Sequence, residues 1–447
     1  MLNYIWLGLV LCAVLLGGAT GHLTETTKGA FDMAEKAVMD IALPLVGVMA
    51  LWLGIMRLAE KSGMVQVLAR MLRPIMVWLF PEVPPDHPAM GAMIMNVAAN
   101  MLGLSNAATP LGLRAMDNLE ALNPRPGTAT NAMCTFLVIN TASVQLIPAT
   151  AVAVLAAKGS TDPSAIIVPA LIATAIAAVA AVLVVKTLEK LPIFRLPPLT
   201  EQDKAKKLVE VKEQKEENEP VKVAPMEWWG VTAMVLYFGF FAVLVGWWLG
   251  APQDFLDRFK ILPFELKDGE FVRVVKALSI ISVPVMLSFF PLYAALRRVK
   301  VYEEFVEGAK EGFQIIIRII PNLVAILVAI GMFRGAGGID ILTEWLRKPM
   351  AFVHFPPELL PMALIRPLSG SGSLGVFTEM VQHYGPDNIL SRMAGTIYGS
   401  TETTFYVLAV YFGAVNIKRA RHAVPAGLVA DTVAIIASVA VCKMMFR

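Results

Sequence analysis

Nine long apolar stretches limit the fold of this 447-residue sequence more than any other feature. Each has roughly the 17–25 residues that an α-helix needs to cross the hydrocarbon core of a bilayer. Charged residues make up only 16% of the chain, whereas soluble domains carry about 25%. We therefore predict an all-α polytopic membrane protein whose partner is the lipid bilayer. The stretches lie at about 2–19, 38–58, 131–156, 166–186, 228–250, 272–296, 313–333, 392–414 and 423–442.

Charge and cysteine usage exclude several other classes of protein. The 38 Lys and Arg residues nearly balance the 35 Asp and Glu residues and form no basic stripe, so we expect no nucleic-acid partner. The three cysteines and five histidines are scattered, which predicts neither a disulfide framework nor a metal site. The sequence has no Walker A loop, nucleophile elbow or H-E-x-x-H motif. We expect no catalytic residues and no cofactor.

Positively charged turns predict the orientation of the spans, because Lys and Arg are retained on the cytoplasmic side. Segments 186–226, 297–312 and 415–422 are basic, whereas the turn 157–165 carries only Lys158, balanced by an aspartate. This places 157–165 outside, the N-terminus inside and the C-terminus outside, although basic residues near the C-terminus count against it. We expect the first stretch to be a retained span, with a secretory signal as the alternative.

The two halves of the chain share one order of landmarks. Arg57 follows a proline inside a span by 13 residues, and Arg334 does the same in the second half. The turn between the two final spans is nearly neutral in one half (157–165) and basic in the other (415–422), so we predict two inverted repeats. The predicted units are a first membrane half (1–200), a charged linker (201–225) and a second membrane half (226–447).

Each half contains an apolar stretch too interrupted for a plain helix. Residues 90–112 are broken by asparagine, glycine and proline, and residues 359–382 contain the run Ser-Gly-Ser-Gly-Ser. Irregular backbone at membrane depth is tolerated where it is buried in protein or lines a wet cavity. We predict two re-entrant or broken hairpins that meet near the centre, with kinked helices as the alternative.

Polar side chains concentrate in these hairpins and in the span that follows each one. When the two spans are laid together, INTASVQ matches YGSTETT, and Ser143 falls opposite Glu402. We predict that these residues bind a small polar solute between the repeats. The candidate substrate-binding residues are Asn100, Ser105, Asn106, Asn140, Thr141, Ser143, Gln145, Arg366, Ser369, Ser371, Ser373, Ser400, Thr401, Glu402 and Thr404.

Of the charged residues within the predicted membrane segments, three are candidates for a functional role. Glu402 and Asp431 each lie about ten residues into a span, where an acid costs about 2.5–3.5 kcal/mol on insertion scales. Such residues persist because they are paired or functional, so Glu402 and Asp431 are candidates for proton or ion coupling. Arg366 is the predicted counter-charge, and a buried ion pair between Arg366 and Glu402 that only braces the halves is the alternative.

At these residues the chain resembles a known family. The first half, with NVAANMLGLSNAATPLGLRAM and FLVINTASVQLIPAT, resembles spore maturation protein A. The second half, with IRPLSGSGSLGVFTEM and GTIYGSTETTFYVLAVYFG, resembles spore maturation protein B. Both belong to the nucleoside-recognition, or Gate, group, which also appears in concentrative nucleoside transporters. The resemblance implies a fused, multi-pass protein of the bacterial inner membrane with transporter-like architecture.

Two functions fit the sequence. The first is a secondary transporter of a small polar solute, such as a nucleoside, an amino acid or peptide, or an ion. The second is a scaffold in the envelope or in spore maturation that does not transport. An interfacial helix at 64–80, with Arg70 and Arg73 beside apolar residues, would serve as a contact in either case. The sequence leaves homo-oligomerisation open.

Overall fold

Helices dominate the computed structural model, which describes residues 2–103, 105–194, 227–250, 270–338, 341, 344–345 and 355–446. Within these residues no strand forms, and only an isolated bridge joins Thr128 to Arg419. Four of the described helical runs are long and apolar enough to cross a membrane, and several shorter helices are also apolar. The chain is therefore an all-α, multi-pass membrane protein, as the apolar stretches predict.

The helices of the two halves follow one another in a similar order. In the first half they are α1 (Leu2–Thr20), α2 (Leu23–Lys36), α3 (Leu43–Lys61), α4 (Met64–Leu79), α5 (Pro88–Met101), α6 (Ser105–Ala121), α7 (Asn131–Ala142), α8 (Ala149–Ala157) and α9 (Ile167–Leu188). In the second half they are α10 (Trp228–Gly250), α11 (Glu270–Leu296), α12 (Val301–Gly335), α13 (Leu360–Ile365), α14 (Gly370–Tyr384), α15 (Ile389–Ser400), α16 (Thr404–Val407) and α17 (Ala423–Met445).

Glycines allow α2 and α3 to pack closely along α12. A Cβ added at Gly29 would come within 2.5 Å of the Gly331 carbonyl oxygen, and one added at Gly308 would lie 3.0 Å from the Gly54 Cα. Gly29 in α2 meets Gly331 near the end of α12, and Gly54 in α3 meets Gly308 near the start of α12, so α12 runs antiparallel to α2 and α3. Gly54 and Gly331 are 277 residues apart, the same distance that separates Arg57 at the end of α3 from Arg334 at the end of α12. The two glycines therefore occupy equivalent positions in the two halves. We call this contact the glycine seam. It contains two similar glycine–glycine contacts, Gly29 with Gly331 and Gly54 with Gly308, as an inverted repeat predicts.

The turns gather at two opposite ends of the bundle. At one, here the Asp387 end, Asp387 accepts hydrogen bonds from Ser160 (2.6 Å) and from the Thr161 hydroxyl (2.8 Å). Burial raises the pKa of Asp387, but these hydrogen bonds outweigh it and lower the value to about 2. At the other, here the Arg421 end, Arg421 donates to the carbonyl oxygens of Ala129 and Phe194, both at 3.1 Å. The turns 157–165 and 415–422 thus lie at opposite ends.

Helices α5 and α6 form a hairpin that enters from the Arg421 end. Asn131 beside that end donates to Glu82, which precedes α5, and residue 128, which follows α6, bridges to the turn 415–422. Asn96 in α5 donates to the Ala108 carbonyl oxygen in α6 (2.7 Å), so the two arms lie side by side. Both arms therefore start and finish at one end, and the break predicted within 90–112 is a helical hairpin.

A second hairpin enters from the Asp387 end. Helix α13 stops at Ile365, residues 366–369 form the tip, and α14 runs back to the turn that carries Asp387. Ser369 begins α14 as its N-cap, accepting from the Gly372 amide at 3.0 Å, which satisfies one of the otherwise unpaired amides at a helix start. The predicted break within 359–382 is thus present, with a short first arm and a long second arm.

Candidate functional site

Two helices are interrupted, each beside the hairpin tip of its own half. The first interruption, residues 143–148, separates α7 from α8, and the second, residues 401–403, separates α15 from α16. Helix α7 packs against α16 and α8 packs against α15, so the broken helices cross in opposite directions. We call the two interruptions the first break and the second break, and the place where they meet the crossing.

Each hairpin tip supplies a carbonyl to the neighbouring break. The Leu146 amide donates to the Met101 carbonyl oxygen at 2.9 Å, and the Phe405 amide donates to the Pro367 carbonyl oxygen at 3.0 Å. Leu146 and Phe405 are equivalent positions when INTASVQ is laid on YGSTETT. The same main-chain contact therefore occurs twice, once in each half.

The first break contains only uncharged residues. Its first residue, Ser143, has a φ of 24°, and the carbonyl oxygens of Ala142 and Ser143 both accept from the Thr174 hydroxyl, at 2.9 and 3.1 Å. The hydroxyls of Thr141 and Ser143 are buried and have no hydrogen-bond partner among the described residues. The break is thus held by the main chain and by α9, while two of its hydroxyls stay free to bind.

The second break joins the first through Glu402. Its amide donates to the Thr141 carbonyl oxygen (2.8 Å), and its carboxylate accepts from the Gln145 side chain (3.1 Å). Glu402 and Gln145 are only partly buried, whereas Thr401 and Thr403 are buried. A carboxylate therefore bridges the two halves at the edge of the crossing.

Arg366 projects from the second hairpin tip into the crossing and is only 3% exposed. It donates to the hydroxyls of Thr403 (3.3 Å) and Ser373 (3.5 Å), and its guanidinium lies 4.8 Å from the centroid of the Tyr398 ring. Among the described residues it forms no ion pair with Glu402, and its Nε has no partner. The buried cation is thus held by hydroxyls and an aromatic face rather than by the predicted carboxylate.

Asp431 brings a second carboxylate to the crossing from α17. One carboxylate oxygen accepts from the Thr404 hydroxyl at 2.6 Å, and the other is buried without a partner in the described part of the chain. Gly427, one turn earlier, lets α17 approach the crossing, because a Cβ there would lie 2.8 Å from Thr404 Cγ2 and 3.7 Å from the Thr141 hydroxyl. Asp431 therefore bonds to Thr404, just after the second break, and α17 packs one turn away against Thr141, just before the first break.

Comparisons with known proteins identify this arrangement. The family model described as "Nucleoside recognition", the Gate domain, matches residues 42–158 and 316–418, which hold both breaks. Spore maturation protein B of Bacillus subtilis (strain 168) is 42% identical over 175 residues, covering 39% of this chain and 98% of that protein. Spore maturation protein A of the same organism is 40% identical over 184 residues, covering 41% of this chain and 93% of that protein.

The chain belongs to the Gate family. It contains the matched domain in two pieces, and its relatives are consistent with a fusion of a spore maturation protein A with a spore maturation protein B. Each curated relative is matched over nearly its whole length by about two fifths of this chain. The fusion predicted from the sequence motifs is thus confirmed.

A separate polar group in this Gate protein fills the space between the first hairpin and α7. Asn100 donates to the Asn140 side chain (2.8 Å), and Tyr411 donates to the same oxygen (3.4 Å). Asn96 donates to the Tyr411 hydroxyl (3.2 Å). Asn100 and Asn140 are paired with each other and help to fix the hairpin, although the side-chain oxygen of Asn96 in the same group has no partner among the described residues.

The remaining predicted residues of the Gate halves fall into three groups. Ser400 shares a hydrogen bond with Ser438 (3.1 Å), and Ser369 and Ser373 cap or bond within α14, while Ser371 lies 3.5 Å from Ser369. The side chains of Ser105 and Asn106 lie outside the described residues. Seven of the predicted residues meet at the crossing with Asp431: Thr141, Ser143, Gln145, Arg366, Thr401, Glu402 and Thr404.

Sequence reasoning did not assign roles to four residues that shape the Gate site. Thr174 holds the first break, Tyr398 lies beside Arg366, Tyr411 enters the first hairpin, and Gly427 admits α17. Thr174 and Asp431 lie at similar positions in the last helix of each half, after Pro169 and Pro425 respectively. The offsets from the prolines differ by one residue, so the two positions are neighbours rather than equivalents, and the sequence alone does not indicate the role of Thr174.

Proposed function

We propose that this Gate protein is a secondary transporter of a small polar solute in the bacterial inner membrane, and that solute and coupling ion bind at the crossing. The observation that carries the proposal is the convergence of two oppositely directed broken helices on buried polar atoms without partners. Broken helices direct main-chain groups and helix dipoles at a ligand, which is how many transporters bind their substrates. Nothing in this arrangement requires an enzyme.

The charges at the crossing support a solute with at least one negatively charged or hydrogen-bond-accepting group. Arg366 is buried, always charged and has an unpaired Nε, so it is suited to bind such a group. The free hydroxyls of Thr141 and Ser143 add neutral donors or acceptors. Nucleosides, amino acids or short peptides, and ions all satisfy this chemistry, and the description of the matched family favours testing nucleosides first.

Glu402 and Asp431 are the proposed coupling residues. Glu402 is partly exposed and bridges the halves through Gln145, so it can exchange a proton or cation with water. Asp431 has one oxygen engaged by Thr404 and one free, a combination that suits a bound proton or monovalent cation. The two acids thus offer an outer and an inner position for a coupling ion.

The test begins with ligand discovery on the purified full-length protein. A ligand that binds only the folded state raises its melting temperature, so nucleosides, amino acids, short peptides and salts are screened by thermal unfolding. Uptake of each stabilising compound is then measured in proteoliposomes for wild type, Glu402→Gln and Arg366→Ala. Glu379→Gln is the matched control, because Glu379 is a buried carboxylate that pairs with Arg334 away from the crossing.

We expect both variants at the crossing to lose uptake and the control to retain it. Equal uptake by wild type, Glu402→Gln and Arg366→Ala would remove these residues from the mechanism. A protein that no compound stabilises, but that returns a stable protein partner in pull-downs, would instead be a membrane scaffold, and the names of the two relatives would point to a role in spore maturation.

A further inference from the structure

A cavity of about 420 Å³ lies away from the crossing, between α4 and the start of α5. Arg70, Arg73, Asp86 and His87 are among its lining residues. Arg73 pairs with Asp86 at 3.0 Å, whereas no carboxylate in the described residues lies within 4 Å of Arg70. Burial lowers the pKa of His87, which keeps its imidazole neutral near pH 7. Two arginines and one aspartate therefore leave the cavity with one net positive charge.

An exposed apolar stripe lies beside this cavity on α4. Met71, Ile75 and Trp78 are 69%, 57% and 74% exposed and are spaced by four and three residues, so they share one helical face. Ala69 and Arg70 line the cavity, and the next residue, Met71, begins the stripe. Arg70 thus lies at the border between the two. In a membrane protein such a stripe is suited to contact acyl chains.

The cavity lies at the basic end of the bundle. Glu82, just before the cavity residues, accepts from Asn131 (2.9 Å), and Asn131 accepts from Arg421 (2.8 Å). The turn 415–422, which contains Arg421, is the one that the charge pattern predicts to be cytoplasmic. The cytoplasmic leaflet carries the anionic lipids of a membrane, so the charge of the cavity matches the surface beside it.

We propose that this cavity binds the headgroup of an anionic phospholipid. The phosphate lies at the guanidinium groups of Arg70 and Arg73, which match phosphate oxygens by paired hydrogen bonds, and the acyl chains follow the stripe of α4. Asp86 competes with the phosphate for Arg73 and so weakens the site. The proposal is independent of transport, because none of these residues belongs to the crossing.

The test compares phosphatidylglycerol with phosphatidylcholine on the detergent-purified, full-length protein. Native mass spectrometry counts the retained lipids, and thermal unfolding measures the stabilisation by each lipid. The variants are Arg70→Gln, Asp86→Asn and, as the matched control, Arg419→Gln, which removes an exposed arginine at the same end but outside the cavity. Inorganic phosphate forms a third arm that distinguishes a lipid site from a site for free anions.

Wild type should retain and be stabilised by phosphatidylglycerol in preference to phosphatidylcholine. Arg70→Gln should weaken phosphatidylglycerol binding about fivefold, the factor that one basic contact with an anionic surface contributes. Asp86→Asn should strengthen it, and Arg419→Gln should leave it unchanged. An unaltered phosphatidylglycerol response in Arg70→Gln, an equal loss in Arg419→Gln, or the same stabilisation by inorganic phosphate alone would overturn the proposal. Melting in phosphatidylcholine verifies that each variant is folded.

Discussion

The first and second breaks occupy equivalent positions in the two halves, yet different groups stabilise them. Residues 143–148 include no charged side chain, and the Thr174 hydroxyl satisfies the carbonyl oxygens at their start. Residues 401–403 contain Glu402 and lie between Arg366 and Asp431. The two halves thus differ at the crossing: the first supplies an uncharged break, and the second supplies the charges to which we assign the proposed binding and coupling.

The largest expected effect comes from removing the negative charge that α17 places beside the second break. Asp431→Asn preserves the shape of the side chain and can keep the Thr404 contact, but it loses the negative charge. We expect the initial rate of solute uptake in proteoliposomes to fall roughly tenfold or more, because a hydrogen bond to a charged group contributes about 1.5–3 kcal/mol. Ser143→Ala, which removes an uncharged hydroxyl from the first break, should cost much less. Equal losses would show that the charge difference between the breaks has no functional meaning.

The second prediction removes the hydroxyl that holds the first break. Thr174→Val leaves two buried carbonyl oxygens without this donor, and we expect the free energy of unfolding to fall by about 1–3 kcal/mol. Denaturant unfolding in detergent measures the change. The control is Thr187→Val on the same helix, since the exposed Thr187 hydroxyl bonds only to its own helix at Leu183. A loss confined to Thr187→Val would contradict the role of Thr174.

The third prediction adds a methyl group where α17 packs closely against Thr404, beside the second break. Gly427→Ala places a methyl group 2.8 Å from Thr404 Cγ2, so Thr404 has to shift away from Asp431. We expect a loss of stability of about 1–2 kcal/mol, as for other overpacked sites. Gly413→Ala serves as the control, because a Cβ there meets nothing within 4 Å. Gly427→Ala with wild-type stability would mean that the approach is looser than the structure indicates.

The smallest expected effect comes from glycine substitutions that test the backbone conformation of each break. Ser143 has a φ of 24°, where glycine is more favourable than any L-residue, whereas Thr401 is extended with a φ of −145°. Ser143→Gly should therefore stabilise the protein by about 0.5–1 kcal/mol, and Thr401→Gly should destabilise it by a similar amount. Thermal melting of both variants checks the signs. Destabilisation by Ser143→Gly would show that the serine side chain stabilises the break more than its backbone strains it.

Length and apolarity predicted the long helices well. The expected spans 166–186 and 423–442 lie within the helices Pro163–Leu188 and Ala423–Met445. The span expected at 313–333 is the apolar part of α12, which starts at Val301 because its charged first turns pack on α3 rather than leaving the helix. Apolarity detects only the part of a helix that faces lipid or core, so helix ends that carry charges are missed.

The breaks were harder to foresee than the hairpins. Glycine and serine runs indicated an interruption near the second hairpin tip, but the stretches 131–156 and 392–414 resembled continuous spans. The second break consists of Thr, Glu and Thr, with no glycine or proline to indicate it. It forms because hydrogen bonds from the opposite half replace helical ones, as between the Glu402 amide and the Thr141 carbonyl oxygen. Contacts between residues so distant in sequence leave no local pattern.

The glycine seam has a consequence for how such a molecule changes shape. Gly29 and Gly308 contact the opposite helix through main-chain atoms, so α12 cannot slide along α2 and α3 without a collision between backbones. The crossing, by contrast, is joined by one main-chain hydrogen bond, from Glu402 to Thr141, and otherwise by side-chain hydroxyls and a single carboxylate bridge, which can exchange partners more easily. If the protein transports as proposed, the seam predicts that α2, α3 and α12 stay fixed while the hairpin tips and the half-helices beside the breaks move.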